Sequence, residues 1–329
     1  MAEGRGVQWL EIDEHHDGQR LDNFLLAHLK GAPRTLIYRI IRRGEVRING
    51  GRGKASRRLV RGDRVRVPPL RLTPQEAVQD VSDNLRHVIE RSLLRETPDW
   101  MVFNKPSGLA VHGGSGVKIG LIEALRQIRD DLPYLELVHR LDRDTSGCLL
   151  VAKSRDALNF LSDELREHRM QKHYLALVEG AWSVEQKEVD APLLRFELPN
   201  GERRVRVDAA GKPSRTRFTL IESLKGASLI EAEPVTGRTH QIRVHADHAG
   251  HSLLGDTKYG SVTGERLARR CALSRLFLHA RMLGFTDPAS GQLVQMHAPL
   301  SDDLQSVLAR LRQQSDQADS PDSRNGARQ

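Results

Sequence analysis

The stretch Val138–Ser154 reads VHRLDRDTSGCLLVAKS and joins a polar loop to an apolar run. Its first half gathers a histidine, several charges, a threonine, a serine and a glycine, whereas Cys148 to Ala152 has the continuous apolar character of a buried strand. An amphipathic helix follows, with Ser154 as its N-cap and an inner stripe of leucines at positions 158, 161 and 165. Packing alone does not require such a loop, so it is the first candidate for a functional site.

The segments on either side of this stretch predict more strands than helices. WMVF at Trp100–Phe103, KHYLALVEG, TRFTLIES and SLIEAEP all have strand character, and TGRTHQIRVHADHAGH predicts a helix. Strands and helices do not alternate regularly, and no glycine-rich phosphate loop occurs. We therefore predict an α+β fold with a mostly antiparallel β-sheet and flanking helices.

The segment from Gln19 to Val67 predicts a separate small α/β module. RLDNFLLAHLKG and PRTLIYRIIRRGE each place apolar residues at helical spacing, and Pro33 and Gly44 suit the two ends of the second helix. EVRING and DRVRVP alternate apolar with polar residues, which predicts a short strand pair.

The positive charge of the chain is concentrated in this module. The whole sequence has 51 Lys and Arg against 43 Asp and Glu, a net charge of +8, but residues 34–66 alone hold twelve basic residues and two acidic ones. Arginine predominates, which suits bidentate phosphate contacts and stacking on bases, so nucleic acid is the expected partner rather than a merely solvated basic face. The residues predicted to bind it are Arg34, Arg39, Arg42, Arg43, Arg47, Arg52, Lys54 and Arg57.

Length and composition define the expected organisation. The chain has 329 residues, which suggests two domains, and 38% of them are hydrophobic, which is enough to form a core. The predicted boundaries are an N-terminal tail at 1–17, the basic module at 18–80, a linker at 81–95, a larger domain at 96–312 and a disordered tail at 313–329. The N-terminus lacks the apolar core of a signal peptide, and Cys148 and Cys271 lie in apolar surroundings, so we predict reduced thiols and a cytoplasmic location.

Two aspartates of the opening loop are candidate functional groups. Asp144 lies in Asp-Thr-Ser-Gly, which also has a purely structural interpretation as a turn. Asp142 has no such explanation and needs a partner if it is buried; Arg238 or Arg243, in GRTHQIRVH, could supply one. From the residues alone, a structural ion pair and a functional one are equally good interpretations.

The motifs resemble two known families. QRLDNFLLAHLKGAPRTLIYRIIRRGEVRINGGR followed by LVRGDRVRV resembles an S4 domain, a small RNA-binding module. NKPSGLAVHGG, HRLDRDTSG, KHYLALVEG, GRTHQIRVH and LFLHARMLGF, in that order, resemble the pseudouridine synthases of the ribosomal large subunit type, the RluA family. The likeness runs from about Asp99 to Leu311. GHSLLGDTKYG departs from the family, which more often has a proline after the histidine.

The resemblance implies an activity and a role for each matching residue. Pseudouridine synthases isomerise uridine in RNA without a metal or other cofactor, by means of the aspartate of the HRLD motif, here Asp142. By the same likeness Arg243 is the ion-pair partner of Asp142, Arg140 fills the space left by a flipped base, and Tyr174 stacks on that base or handles a proton. Leu141 and Ile242 are expected to line the pocket, and the histidines at 112, 139, 240 and 245 to be structural or to contact RNA.

The partner implied by the likeness is 23S rRNA rather than DNA. A monomer is the default expectation for a protein that docks on a large RNA, and no apolar run is long enough to involve a membrane. A sister enzyme that acts on other large-subunit uridines is the nearest alternative. A non-catalytic S4 protein would leave the second set of motifs unexplained. A nuclease that binds magnesium through Asp142 and Asp144 would have arginines beside its metal ligands.

Overall fold

A computed structural model describes residues 6–29, 32–70, 80–113, 119–185 and 188–319. The chain divides after Asp80 into two units, Met1–Asp80 and Val81–Gln329. Each unit has its own sheet. The α+β fold with mostly antiparallel sheets is therefore confirmed.

The N-terminal unit has two helices packed on a small antiparallel sheet. Its elements are β1 (Gln8–Glu11), a 3₁₀ turn (Glu14–His16), α1 (Leu21–His28), α2 (Arg34–Arg42), β2 (Arg47–Ile48), β3 (Gly51–Arg52) and β4 (Arg64–Val67). The strand order is β1-β4-β2-β3. The apolar stripes of both helices are buried, with Phe24 and Ile37 fully enclosed, because the helices cover one face of this sheet.

The predicted N-terminal tail is corrected by strand β1. Residues 8–11 pair with β4 along their whole length, and the backbone N–H of Ile12 donates to the Asp63 carbonyl at 2.9 Å. Ile12 is buried in the same core as the two helices. Residues 8–17 are therefore part of the module, whereas residues 1–5 lie outside the described part of the chain.

The C-terminal unit contains the remaining elements of the described residues. Those up to the middle of the unit are α3 (Asp83–Ser92), β5 (Leu93–Glu96), β6 (Trp100–Lys105), α4 (Leu121–Ile128), β7 (Glu136–Leu137), β8 (Ser146–Ala152), α5 (Arg155–Arg166), β9 (Gln171–Glu179) and β10 (Glu188–Asp190). The others are β11 (Leu193–Glu197), β12 (Arg203–Val207), β13 (Arg215–Leu224), β14 (Ala227–Pro234), α6 (Gln241–His248), α7 (Val262–Arg270), β15 (Leu278–Thr286), β16 (Leu293–His297) and α8 (Asp302–Asp319).

A ten-stranded sheet forms the centre of this unit. Its main order is β10-β13-β14-β9-β15-β8-β6-β5, with β16 beside β15 and β7 beside β8, while β11 and β12 form a separate hairpin. Every pairing in the large sheet is antiparallel except that between β8 and β15. Strand β8 is buried along its whole length, as its apolar run predicts.

The register aligns the central strands in one row. Tyr174 on β9 lies opposite both Ala232 of β14 and Ala280 of β15. Ala280 in turn lies beside Gly147 of β8, and Gly147 lies opposite Lys105 of β6. This row therefore brings the ends of five strands together at the start of β8, directly after the loop that carries Asp142.

Two further predicted boundaries are corrected. The predicted linker at 81–95 is helix α3 and strand β5, and Ile89 of α3 is buried against Met101 and Phe103. The predicted tail from 313 begins inside α8, which continues to Asp319; the rest of that tail lies outside the described residues.

Candidate active site

The loop that carries Asp142 is held by backbone hydrogen bonds at several points. It connects β7 to β8, and the N–H of Thr145 donates to the Asp142 carbonyl at 3.2 Å, which closes a turn. The Arg143 carbonyl accepts from the N–H of Gly108 at 2.8 Å and from Nζ of Lys105 at 3.0 Å. The turn after β6 therefore fixes the backbone on the far side of Asp142.

Lys105 is fully buried and connects the turn after β6 to the Asp142 loop by hydrogen bonds. Its Nζ donates to the carbonyls of Pro106 (2.9 Å), Leu109 (2.8 Å) and Arg143 (3.0 Å). Burial lowers the pKa of Lys105 to about 7, against the attraction of Asp144 and Asp142. Three carbonyl acceptors match the three N–H groups of an ammonium, so the geometry favours the charged form. Lys105 belongs to the NKPSG motif but was not among the predicted site residues.

Gly147 allows the close approach of β8 and β15 beside the loop. Its φ of +111° is a conformation that L-residues rarely adopt, and a Cβ at this position would lie 2.3 Å from the carbonyl oxygen of Ala280. The DTSG turn therefore ends in glycine for two independent reasons, one conformational and one steric.

His240 faces Asp142 from the start of helix α6. It adopts a left-handed conformation with φ of +54°, and its Nε2 lies 3.8 Å from Oδ2 of Asp142, whose side chain is about one-third exposed. Nδ1 of His240 lies 2.8 Å from the hydroxyl of Tyr259, which accepts from the N–H of Val205 at 3.0 Å. With the tyrosine O–H donating to Nδ1, the neutral imidazole carries its proton on Nε2, toward the carboxylate.

Burial keeps His240 neutral at neutral pH. Burial lowers its pKa, and the attraction of Asp142 only partly opposes this effect. A neutral imidazole can donate a hydrogen bond to Asp142 without adding a full charge. His240 was expected only to be structural or to contact RNA, and its position beside Asp142 could not be predicted from sequence.

Arg243 forms a buried ion pair with Asp256. Its Nε and Nη2 donate to the two carboxylate oxygens at 2.7 and 2.6 Å. The N–H groups of Lys258 and Tyr259 also donate to Oδ1 of Asp256, at 2.9 and 3.1 Å. The guanidinium lies 5.0 Å above the ring of Tyr259.

This pair corrects the prediction that Arg243 is the direct partner of Asp142. The carboxylate of Asp256 is fixed by the returning loop in the orientation that matches the guanidinium fork, so it takes both hydrogen bonds. Burial opposes the charge of Arg243, but Asp256 and then Asp142 raise its pKa. Arg243 therefore acts on Asp142 through longer-range attraction.

The remaining predicted site residues lie around the same loop. Tyr174 packs between two clusters of the apolar core; burial raises its pKa, and the charge of Asp142 adds to the effect, so the phenol stays protonated at neutral pH. Leu141 and Ile242 are 5% and 6% exposed, and each belongs to one of these clusters. Arg140 is exposed, and its side chain forms no ion pair or hydrogen bond with the described residues.

Two other histidines of the motifs have structural contacts. Nε2 of His139 accepts from the N–H of Leu150 at 3.2 Å, and burial lowers the pKa of His139 to about 4. His245 is fully buried, with its nitrogens at 2.9 Å from the Thr216 hydroxyl and at 3.0 Å from the Ala191 carbonyl. Neither arrangement leaves a ring nitrogen facing Asp142.

Comparisons with known proteins show the family of this chain. A family model described as RNA pseudouridylate synthase matches residues 99–248, and an S4 domain model matches residues 19–65. The chain is 52% identical, over 94% of its length and 95% of the relative, to ribosomal large subunit pseudouridine synthase C of Pasteurella multocida. It is 49% identical to the protein of that name from Escherichia coli K12, over 94% and 98% of the two chains. The chain belongs to the RNA pseudouridylate synthase family.

A solved structure supports the same assignment for the C-terminal unit. Human RNA pseudouridylate synthase domain containing 4 superposes with a TM-score of 0.58 at 25% identity, covering 70% of this chain and 96% of the human one. This pseudouridine synthase is accordingly an isomerase, as its sequence predicts.

Most predicted RNA-binding residues of this pseudouridine synthase are exposed. Arg47 is half-buried, and Arg34 is the first residue of α2. Arg43 and Arg57 lie 3.9 Å from Glu45 and 3.7 Å from Asp63. The remaining cations of this set form no ion pair within the described part of the chain. They are Arg39, Arg42, Arg47, Arg52 and Lys54.

The described residues of this pseudouridine synthase contain neither a metal-binding cluster nor a candidate membrane span. They contain no group of three or more His, Cys, Asp or Glu arranged to hold a metal ion. They also contain no helix with both the length and the apolar character that crossing a bilayer requires.

Proposed function

We propose that this protein converts specific uridines of 23S rRNA to pseudouridine, with Asp142 as the catalytic carboxylate. The observation that carries the substrate class is the similarity, across nearly the whole chain, to synthases named for the large ribosomal subunit. The basic S4 module in front of the synthase domain supports an RNA substrate. A cytoplasmic, monomeric enzyme that binds neither DNA nor membrane is part of the same proposal.

The chemistry requires an ionised carboxylate beside the ribose and the base. The reaction breaks the bond between N1 and C1′ of the uridine, turns the base, and forms a bond between C5 and C1′. The proton on C5 is released and N1 takes up a proton, so no group is imported and nothing is oxidised. A carboxylate can attack the sugar, add to the base or remove a ribose proton. In each case it must be positioned and charged, and no metal or other cofactor enters the balance.

Asp142 is supported for this role by the groups around it. Nε2 of His240 lies 3.8 Å from the carboxylate of Asp142, and Lys105 and Arg243 contribute positive potential. Its neighbour Asp144 instead forms an ion pair with Arg143 at 3.3 Å. Lys105 attracts both aspartates of the loop, whereas His240 and Arg243, from the region of helix α6, act on Asp142.

The other site residues have roles that fit a flipped base. Enzymes that act on a base generally remove it from the stack, at a cost of a few kcal/mol. Arg140 is exposed and unpaired among the described residues, so it is available to fill the vacated space. Tyr174 keeps its proton at neutral pH and is suited to stack on the base or to donate a proton, but not to act as a base. Leu141 and Ile242 support the pocket from the core.

The test is a carbodiimide primer-extension map of unmodified large-subunit rRNA after incubation with the protein and EDTA. Wild type and Asp144→Asn should produce the same discrete stops, whereas Asp142→Asn should produce none while it still binds RNA. Asp144→Asn is a matched control because it makes the same chemical change two residues away. Stops at other positions than those of the named relatives would favour a sister specificity. No stops from folded, RNA-bound wild type would overturn the proposal.

A further inference from the structure

The four-stranded sheet of the N-terminal module has one covered face and one open face. Leu10, Ile48, Val65 and Val67 project into the core against α1 and α2. The residues between them project to the other side, because side chains alternate along a strand. That second face carries the charge of the sheet.

The register aligns three arginines and a tryptophan in a single row across the open face. Trp9 of β1 lies opposite Arg66 of β4, Arg66 lies opposite Arg47 of β2, and Arg47 lies opposite Arg52 of β3. Directly opposed residues project to the same side of a sheet. Three strand spacings make the row about 14 Å long.

The arginines of the row keep their positive charge available. Arg66 donates to the Glu45 carbonyl at 3.1 Å, which does not neutralise it, and within the described part of the chain Arg47 and Arg52 have no carboxylate partner. The one acid on this face of β1 is Glu11, which lies opposite Arg64. The row can therefore bind an anion.

Trp9 supplies an exposed aromatic surface at the end of the row. It is 52% exposed, whereas the other two tryptophans, Trp100 and Trp182, are 0% and 4% exposed. The guanidinium carbon of Arg64 lies 5.1 Å from the centroid of the Trp9 ring. An exposed indole beside an arginine row matches the stacking surface and the basic track of proteins that bind single-stranded nucleic acid.

We propose that this open face is a second RNA-binding surface, which takes an unpaired segment of the RNA with one base stacked on Trp9 and its phosphates along Arg66, Arg47 and Arg52. The inference rests on the proposed RNA substrate and adds a site to it. Trp9 and Arg66 lie outside residues 19–65, the segment matched by the S4 model. The exposed arginines of α2, Arg39 and Arg42, belong to the helical layer on the covered side of the sheet.

The experiment follows Trp9 fluorescence in the full-length protein during titration with a single-stranded oligouridylate, and with a blunt RNA duplex of equal length. Because Trp100 and Trp182 are buried, the signal that acrylamide can quench reports mainly on Trp9. We expect the single strand to quench this signal and to protect it from acrylamide, and the duplex to do neither. Trp9→Phe should lose the signal but bind nearly normally, since phenylalanine also stacks.

Substitutions then separate stacking from charge. Trp9→Ala should bind the single strand about 5- to 100-fold more weakly. Arg47→Gln should weaken binding and lower the slope of log affinity against log salt by about 0.7. Val60→Ala is the matched control, since Val60 is 60% exposed in the same module but lies outside the strands; it should bind like wild type.

Three results would overturn the inference. They are unchanged affinity of Trp9→Ala for the single strand, equal protection of Trp9 by the duplex, and no binding of either RNA. The rRNA map with the Asp142 variant tests the proposed function separately. Primer-extension stops that depend on Asp142, together with normal binding of the single strand by Trp9→Ala, would contradict only the second RNA-binding surface. Quenching of Trp9 fluorescence by the single strand without any pseudouridine formation would support the second RNA-binding surface and contradict the proposed isomerisation.

Discussion

Asp142 is surrounded by groups whose own positions depend on residues further away. His240 is oriented by Tyr259, and Arg243 is held by Asp256. Both supporting residues come from the same short loop after α6, three positions apart. That loop therefore controls two of the groups that face the carboxylate, although it does not itself approach Asp142.

Asp256→Asn should damage both stability and turnover. Burial alone would raise the pKa of Asp256, but the hydrogen bonds and charge of Arg243 outweigh it and hold the pKa below its ordinary value. Removal of this carboxylate charge leaves Arg243 buried without compensation, so we expect a loss of about 3 kcal/mol in the free energy of unfolding. Displacement of the guanidinium should lower kcat by about 100-fold, with a smaller change in KM. Urea denaturation and steady-state kinetics on an rRNA fragment measure the two effects.

Asp247→Asn is the control for this prediction. Asp247 is an exposed residue of helix α6 that accepts from the Ser252 hydroxyl at 2.7 Å, so the same chemical change there should leave both quantities near wild type. Wild-type kcat for Asp256→Asn, measured well below its melting temperature, would show that the pair does not position Arg243 for the reaction.

His139 predicts a dependence of stability on pH. Its pKa is about 4 in the folded protein, because of burial, against about 6.5 in an unfolded chain. Between these values the unfolded state binds the extra proton, so the stability contributed by neutral His139 is complete above pH 6.5 and is lost as pH falls toward 4. Wild type should therefore take up one more proton on unfolding than His139→Gln does. The slope of the free energy of unfolding against pH should differ between the two by at most about 1.4 kcal/mol per pH unit.

Urea denaturation at pH 7, 6 and 5 measures this slope for wild type and His139→Gln. His248→Gln, at an exposed position of α6, is the matched control and should keep the wild-type slope. Parallel curves for wild type and His139→Gln across this range would mean that His139 takes up its proton in the folded protein as readily as in the unfolded one.

The sequence identified the loop residue Asp142 but not its neighbours in space. HRLD is a local pattern, and its aspartate can be selected without any knowledge of the fold. The partner of Arg243 cannot be selected in this way, because it depends on the path of the loop after α6. The sequence suggested Asp142 as the partner of Arg243, and the folded loop instead places Asp256 there.

At the scale of elements, the parallel seam between β8 and β15 controls the start of the Asp142 loop. The two strands meet where Gly147 lies beside Ala280, and three antiparallel pairings extend from this point to β9, β14 and β6. A change in strand spacing here would move the Asp142 turn relative to Tyr174. The seam is therefore the structural element on which the geometry of the site depends most directly.

Gly147→Ala should destabilise the protein more than a glycine substitution in an open turn. A Cβ on Gly147 would clash with the Ala280 backbone at 2.3 to 2.7 Å, besides the conformational strain of a positive φ, so we expect a loss of about 3–5 kcal/mol. Gly201, in the β11–β12 hairpin, also has a positive φ of +80° but no atom within 4 Å of its Cβ position. Gly201→Ala should cost only the conformational strain, about 1–2 kcal/mol.

Equilibrium urea denaturation of the two variants compares strain alone with strain plus close contact. If both lost the same free energy, the approach of β8 to β15 would not constrain residue 147. The pseudouridine assay on any Gly147→Ala protein that folds should also show reduced turnover, while Gly201→Ala should retain it.

Local periodicity predicted the elements whose apolar stripes are long, and missed those whose stability comes from distant partners. Helix α2 was expected from its isoleucine spacing, and β8 from its apolar run. Strand β1 was assigned to a tail because only four residues pair, and their partner β4 lies more than fifty residues along the chain. Helix α3 was assigned to a linker that is partly helical around residues 84–94, because few apolar residues, chiefly Leu85 and Ile89, mark its inner face.

At the scale of the whole molecule, positive charge and chemistry lie in different units. The arginines that have no carboxylate partner among the described residues are concentrated before Asp80, whereas Asp142 and all its surrounding groups come after it. Composition was sufficient to predict this division, because charge density does not depend on the path of the chain. RNA affinity and catalytic rate should therefore be separable by substitution or truncation.

Removal of residues 1–80 should leave a folded synthase with poor affinity for its RNA. The C-terminal unit retains its ten-stranded sheet and its own buried clusters, so a cooperative urea transition is expected. Loss of the basic module should raise KM for an rRNA fragment by roughly 100-fold and flatten the salt dependence of binding, because fewer phosphates are neutralised. The kcat at saturating RNA should stay within a few-fold of the full chain, since no residue around Asp142 is removed. The truncated Asp142→Asn protein provides the inactive control, and an equal fall in kcat and kcat/KM would instead mean that the module takes part in the chemical step.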